Sequence, residues 1–466
     1  MYKALDISAE ANQIAYYDDG VGTSTFAPMK ILGLVFGLGL ASNVKSIYSF
    51  ISRSYQPGDK IYGFGFSRGA FTMRVVMALI SNQGLIKTDG IDEREFSNRV
   101  EQAYGNFRKK SFHRSLLSFI PAKIHHCFFY KKIPDNKVDK PDIEMLGVWD
   151  TVDAYGLPID ELRSAWDYII YPLTARDRNC AEKVNHAYHA LALDEQRLSF
   201  APILWNERHD TPVPDQTVTQ VWFSGVHADI GGGYPNPSLS LIPLLWMISN
   251  AKTHGLKFDD EQVSQYTKAA DINGPMHDSR SSTGFAYRFE PRHVESLCRD
   301  RIVHNSNDIF SRMLNLGKKL INSENEVFID TPKVHESVLR RLTSDSNNYG
   351  PINLPEQFHV TDNMNVVTDS KSSKTESFRR NAQGKLWNIV AARKAIYVIN
   401  VVLLLTAAFL FITDYTASDP DASIATANLG TSFINYLKDN TNFSFLLGVV
   451  AGLLLLGGKL KKFPAQ

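Results

Sequence analysis

The five residues Gly65-Phe66-Ser67-Arg68-Gly69 have the spacing G-x-S-x-G, which is typical of a turn that presents a serine hydroxyl as a nucleophile. Such a turn has a strained backbone, and glycine at both flanking positions lets it close without a Cβ clash. The helix that follows points its first N–H groups at the serine, so the backbone N–H of Arg68 is a candidate donor to an oxyanion. The spacing therefore predicts Ser67 as a nucleophile, with Gly65, Arg68 and Gly69 around it.

Elements of the right type flank this turn. Residues 59–65 follow a Pro-Gly pair and read as a short buried strand. Apolar residues then recur at helical spacing from Ala70 to Ile80, and the pattern stops at Gly84. The sequence thus predicts a strand, a tight turn and a helix in the required order.

A serine nucleophile needs an acid and a histidine, and two later strands offer them in that order. Residues 143–149 read as a strand that ends at Asp150, and residues 220–226 read as a strand that ends at His227. Open α/β sheets place their sites at the carboxyl ends of strands. We therefore predict that Asp150 orients the imidazole of His227 and that His227 takes the proton of Ser67.

Other assignments stay open at this point. An aspartate at a strand end is often a turn or cap residue, and Asp229 could be the acid instead, with His277 or His335 as the base. His227 and Asp229 could also form half of a metal site, but no third ligand stands at a recognisable spacing. The sequence thus predicts no metal and no cofactor.

The regions that hold these residues differ in composition. Residues 1–260 alternate strand-like and helix-like stretches, which predicts an α/β-hydrolase-like core whose mostly parallel sheet has helices on both faces. Residues 261–360 are more polar and read as the C-terminal part of that domain or a cap, and residues 361–394 read as a polar and basic linker. Within the core, residues 99–140 form a basic and aromatic insertion, either a lid or a solvated cap helix.

Two apolar runs near the C-terminus predict a transmembrane hairpin. Residues 395–413 are long enough to span a bilayer, whereas residues 443–458 are fewer and carry Gly448 and Gly452 at a spacing that allows close helix packing. Basic residues flank the outer ends and acidic residues dominate the loop between the runs. This charge pattern predicts a membrane protein whose catalytic domain faces the cytoplasm.

Composition excludes several broad classes. The chain has 466 residues and a formal charge of +1, and general nucleic-acid binding needs a basic footprint that this balance lacks. Three cysteines are too few for a disulfide scaffold. The near-neutral charge says nothing about protein partners.

Several motifs in one order resemble a known family. They are GFSRGA at 65–70, GVWDTVDAYG at 147–156, HALALDEQR at 189–197, VWFSGVHADIGGGY at 221–234 and VHESVLRR at 334–341. Together they resemble the catalytic domain of type VI secretion phospholipase effectors. The resemblance implies an α/β-hydrolase domain that cleaves lipid acyl esters with a Ser-Asp-His triad, and matching motifs place that triad at Ser67, Asp150 and His227. The resulting hypothesis is a membrane-anchored serine esterase, a phospholipase whose substrate is membrane lipid.

The chain departs from the family pattern at its start. Family members usually open with an additional strand ending in Asp-Gly-Thr, whereas this chain begins with Met1-Tyr2-Lys3. An early strand of this fold leads to a loop that supplies the second oxyanion donor. This departure motivates an alternative, a catalytically impaired membrane scaffold, and an acyltransferase on the same triad is a second one.

Overall fold

The computed structural model describes most of the first 369 residues and, beyond them, only isolated helical residues between 388 and 452. The described ranges are 1–18, 39–111, 138–152, 178–207, 215–279, 291–298, 327–344, 349–351 and 353–369. By its contacts the chain divides into two compact units, one of residues 1–287 and 291–372, the other of residues 288–290 and 373–466.

Helices and strands alternate along the first unit. The strands are β1 Ile61–Phe66, β2 Leu85–Ile86, β3 Val138–Asp139, β4 Ile143–Trp149, β5 Val184–Ala192, β6 Thr217–Phe223, β7 Lys333–His335, β8 His359–Thr361 and β9 Val367–Asp369. The helices are α1 Leu40–Ser54, α2 Arg68–Gln83, α3 Glu93–Ser111, α4 His227–Gly231, α5 Leu241–Thr253, α6 Asp260–Ala269, α7 Val294–Cys298 and α8 Glu336–Leu342.

Seven of these strands form one sheet in the order β1-β4-β5-β6-β7-β8-β9. Neighbouring strands from β1 to β8 are parallel, and only β9 runs antiparallel to its neighbour β8. Strands β2 and β3 form a separate antiparallel pair. The protein therefore has an α/β fold with a mostly parallel central sheet, as the sequence predicts.

Helices cover both faces of the sheet. Successive side chains of a strand point to opposite faces, so the strands contribute apolar residues to a core on each side. Leu146 and Val148 of β4 pack with helices α1, α2 and α3 on one face, whereas Met145 and Trp149 pack with α5 on the other. A third apolar cluster surrounds β7 and includes Val334. Strands buried on both faces read as nearly continuous apolar runs, which is how β4 reads in the sequence.

Helix α2 begins directly after Ser67 and ends where the sequence predicts. Its apolar stripe, which includes Phe71, Val75 and Leu79, is buried against the sheet. Gly84 follows the helix with a φ of 77°, a conformation that favours glycine, and its N–H donates to the carbonyl of Ile80 over 2.8 Å.

The predicted transmembrane spans at 395–413 and 443–458 lie largely outside the described residues. Those that are described in them, such as Ile399, Val402 and Gly448, are helical. In the part of the chain that the structure describes, we find no helix with both the length and the apolar character needed to cross a bilayer. The basic and aromatic insertion is described only for 99–111, which lie in α3, and for 138–140, where β3 begins.

Candidate active site

The backbone at Ser67 is strained. The residue lies between β1 and α2 with φ 58° and ψ −124°, a region that residues other than glycine rarely adopt. Its N–H donates to the carbonyl of Trp149, at the end of the adjacent strand β4, over 3.0 Å. The turn therefore holds the serine at the carboxyl end of the sheet, beside the end of β4.

The two glycines of the motif have different surroundings. A Cβ at Gly65 would lie 2.6 Å from the carbonyl oxygen of Gly69 and 2.7 Å from the Cα of Ala70, so the close approach of strand and helix requires glycine there. A Cβ at Gly69 would meet no described atom within 4 Å. The expectation of a steric need at both positions is thus met at Gly65 only.

Asp150 directly follows β4, as the sequence predicts, and is fully buried. It also has a positive φ, 40°, and its N–H donates to the carbonyl of Ala190 over 2.8 Å. Its carboxylate Oδ1 accepts from the backbone N–H of Ala192 over 3.0 Å. The ends of two adjacent strands therefore fix the orientation of this carboxylate.

His227 does not end a strand, the position that the sequence predicts, but begins a helix. Strand β6 ends at Phe223, the chain turns at Gly225 with a φ of 122°, and His227 is the first residue of the short helix α4. Phe66 and Phe200 pack against its imidazole at centroid distances of 4.6 and 4.9 Å. Apolar packing on two sides restricts the rotation of the ring.

The structure joins Ser67, His227 and Asp150 by two hydrogen bonds. His227 Nδ1 lies 2.5 Å from Asp150 Oδ2, and His227 Nε2 lies 2.7 Å from Ser67 Oγ. An ionised carboxylate can only accept, so Nδ1 carries the proton and Nε2 accepts from the serine hydroxyl. In this arrangement the serine can lose its proton to the imidazole as it attacks an electrophilic carbon.

The sequence does not reveal a fourth side chain at this site, Arg292. Its Nη1 and Nη2 donate to the two oxygens of Asp150 over 2.6 and 2.8 Å, and also to the carbonyls of Ala192 and Phe200 over 2.5 Å each. Burial alone would raise the pKa of Asp150, but the Arg292 charge and the His227 hydrogen bond outweigh it and hold the pKa well below its usual range. The acid is therefore a carboxylate at neutral pH.

A second buried carboxylate, Glu195, supports the backbone of His227. Its Oε2 accepts from the N–H of His227 over 3.1 Å and from Arg197 over 2.9 Å, and its Oε1 accepts from Ser279 over 2.8 Å. Burial raises the pKa of Glu195, but the hydrogen bonds and charge of Arg197 dominate and lower it to about 2. This ion pair anchors the start of α4. The motif DEQR contains both partners, but nothing local in it indicates their contact with His227.

The alternative acid and bases have other partners. Asp229 Oδ1 lies 2.7 Å from His277 Nδ1, and the His277 ring stacks on Tyr234 at 3.8 Å. His335 lies 2.9 Å from the hydroxyl of Ser337, and burial lowers its pKa to about 4. The structure thus pairs Asp229 with His277, whereas the ring nitrogens of His227, the other residue of the hypothetical metal half-site, bond to Asp150 and Ser67.

Comparisons with known proteins add to this geometry. A sequence model of a family described as type VI secretion system (T6SS) phospholipase effector, Tle1-like, catalytic domain, matches residues 1–250. The uncharacterized protein YEL023C of Saccharomyces cerevisiae is 27% identical over an alignment of 231 residues, and the match covers 46% of this chain and 30% of the yeast protein. The crystal structure of an uncharacterized protein from Pseudomonas aeruginosa matches 47% of this chain and 27% of its own, with 21% identity and a TM-score of 0.25.

Proposed function

The chain belongs to the family of Tle1-like type VI secretion phospholipase effectors through their catalytic domain, and from this premise we propose that it is a serine esterase that hydrolyses acyl esters of membrane phospholipids. Ser67 is the nucleophile, His227 the general base and acid, and Asp150 the residue that orients His227. In this proposal, the central sheet and the helices on its two faces form an α/β-hydrolase fold.

The proposed reaction has two halves. Ser67 Oγ attacks the ester carbonyl while His227 Nε2 takes its proton, and the tetrahedral intermediate collapses as the protonated His227 gives that proton to the departing alcohol. Water then attacks the acyl-serine, His227 takes the water proton and returns it to Ser67, and the fatty acid is released. The backbone N–H of Arg68, first in α2, is the proposed donor to the oxyanion.

The observation that carries this proposal is the chain of hydrogen bonds from Ser67 through His227 to Asp150, 2.7 and 2.5 Å long. A neutral imidazole between a hydroxyl and a carboxylate is the arrangement that acyl transfer needs. The positive φ of Ser67 adds to it, because strain at a turn of this kind is associated with function.

The C-terminal region has a role in the same proposal. The apolar runs 395–413 and 443–458 anchor the chain as a transmembrane hairpin, and residues 361–394 link this anchor to the catalytic domain, whose C-terminal part or cap is 261–360. The anchor keeps the domain on the cytoplasmic side and close to its lipid substrate.

The test compares the full-length chain with Ser67→Ala on vesicles of mixed phospholipids, with Ser264→Ala on the exposed surface of α6 as a matched control. We expect the wild type and the control to release fatty acid and Ser67→Ala to lose at least about 10⁴-fold of that rate, because the nucleophile is absent. Mass spectrometry of the products identifies the acyl position.

Two other outcomes would change the conclusion. If acyl chains move to an added alcohol rather than to water, in a serine-dependent manner, the protein is an acyltransferase. If Ser67→Ala keeps the wild-type rate, the esterase proposal is wrong. It is also wrong if neither the folded wild type nor the folded Ser264→Ala control releases fatty acid.

A further inference from the structure

A cluster of two histidines and a glutamate lies at the opposite end of the sheet from Ser67. Glu144 is the second residue of β4, His186 the third of β5, and His254 directly follows α5. One potential ligand atom from each residue lies within 4.8 Å of the other two. All three side chains are partly exposed, so an ion could reach them from solvent.

Each imidazole is held through one ring nitrogen. His186 Nδ1 lies 2.8 Å from the Thr217 hydroxyl, and His254 Nε2 lies 2.8 Å from the Tyr188 hydroxyl. A hydroxyl oxygen can accept from a ring N–H, which leaves the lone pair of the other ring nitrogen free to bind a cation. Metal-binding histidines have such a partner in most proteins, since it fixes the tautomer and the ring orientation.

The two rings are in close contact. Their centroids are 3.8 Å apart with an interplanar angle of 18°, and two imidazolium ions could not stack so closely without strong repulsion. Burial and the proximity of His186 lower the pKa of His254. The neutral imidazole is the form in which histidine binds metals.

The ammonium group of Lys60 lies beside this cluster and pairs with its carboxylate. Its Nζ lies 3.1 Å from Glu144 Oε1 and donates to the backbone carbonyl of His254 over 3.4 Å. The Lys60 side chain is 58% exposed, so it can move into water at little cost. The ammonium thus neutralises Glu144 and competes with any other cation.

We propose that Glu144, His186 and His254 bind a divalent cation of the Zn²⁺ class, through the Glu144 carboxylate, His186 Nε2 and His254 Nδ1. Two imidazoles and one carboxylate form a known zinc ligand set. A tetrahedral zinc ion holds such donors about 3.3 Å apart, so binding opens the ring stack and draws the carboxylate inward. The ion would join the first residues of β4 and β5 to the end of α5.

The site is separate from the proposed active site. Ser67, Asp150 and His227 follow the carboxyl ends of their strands, whereas this cluster lies at the amino ends, about 20 Å away along a six-residue strand such as β1. We therefore expect zinc binding to be the same in Ser67→Ala, whether or not the protein is an esterase.

The experiment is a calorimetric titration of the metal-free full-length chain with ZnCl₂, with Co²⁺ absorption as a second readout. We expect the wild type to bind one more Zn²⁺ than His186→Ala or His254→Ala do, and the control His293→Ala to bind as the wild type. Glu144→Gln should retain the fold and weaken this binding at least about 10-fold. Lys60→Met should strengthen it by up to about 5-fold, because a competing ion pair is removed.

Glu144→Gln should weaken zinc binding and Lys60→Met should strengthen it. A general loss of structure would weaken binding in both, so these opposite changes in affinity distinguish the two explanations. The proposal is overturned if folded His186→Ala and His254→Ala bind as many Zn²⁺ ions as the wild type. It is equally overturned if Lys60→Met leaves the affinity unchanged and Co²⁺ shows no histidine-dependent absorption band.

Discussion

At the scale of single residues, the charge of Arg292 is the largest of the influences that lower the pKa of Asp150 against the effect of burial. The carboxylate is fully buried, and an isolated buried charge is unstable unless it is paired and hydrogen-bonded. Among the described residues, Asp150 accepts four hydrogen bonds with its carboxylate, and Arg292 donates two of them. Arg292 also brings a positive charge that does not depend on pH. We infer that Arg292 is a positioning residue for the proposed triad.

Replacing Arg292 by alanine should lower kcat about 100-fold with little change in KM, because Asp150 no longer holds His227 in place. The pKa of Asp150 rises when the cation is lost, so the acid limb of the kcat/KM profile should move to higher pH. The other charged group facing His227, Glu195, is unchanged in this variant. Hydrolysis of a soluble short-chain ester between pH 4 and 9 measures both effects.

Arg341→Ala is the matched control, since Arg341 is equally buried but donates to the carbonyls of Ile272 and Gly274. Both variants should lose stability, whereas only Arg292→Ala should shift the pH profile, and Arg292→Lys should restore part of kcat. If Arg341→Ala shifts the acid limb equally, Arg292 has only a structural role.

At the scale of elements, the junction of β1 and α2 is a close crossing of two backbones. Gly65→Ala should cost about 1–3 kcal/mol of unfolding free energy, because the new Cβ would overlap the backbone at Gly69 and Ala70. Gly69→Ala has space in the described structure and should cost less than about 0.5 kcal/mol. Urea denaturation of both variants tests this, and equal losses would contradict the steric explanation.

The same elements show what the sequence could predict. Strand β4 and helix α2 were predictable because each is continuous in sequence and has a regular apolar pattern. The local environment of His227 was not, because the glycine turn at 225 separates strand from helix without changing the apolar pattern. Arg292 and the cluster at His186 depend on contacts between distant segments, and no local spacing encodes these.

At the scale of the whole molecule, stability should depend on pH through Asp194. This buried carboxylate accepts from the N–H of Gly225 over 2.7 Å and from the hydroxyl of Tyr349 over 2.8 Å. Burial raises its pKa from 3.8 to about 6, so the folded state binds this proton more tightly than the unfolded state. The resulting stabilisation is complete below about pH 4 and is lost as the pH rises through about 6.

Asp194→Asn should therefore gain stability relative to the wild type as the pH rises, by on the order of 3 kcal/mol between pH 4 and 7.5. Asparagine keeps an oxygen that can accept from Gly225 and Tyr349 but carries no charge. Guanidinium unfolding of both proteins at the two pH values measures the difference. A constant difference between the proteins would show that Asp194 does not titrate between pH 4 and 7.5.

The bond between Arg292 and Asp150 also has a consequence for biosynthesis, because it joins residues 142 positions apart. A growing chain on the ribosome contains Ser67, Asp150 and His227 long before Arg292 has been added. Until then Asp150 would lack the cation that pairs with it in the folded structure. In the proposed function, the site would thus be complete only after residue 292 has been translated, well beyond all three residues of the triad itself.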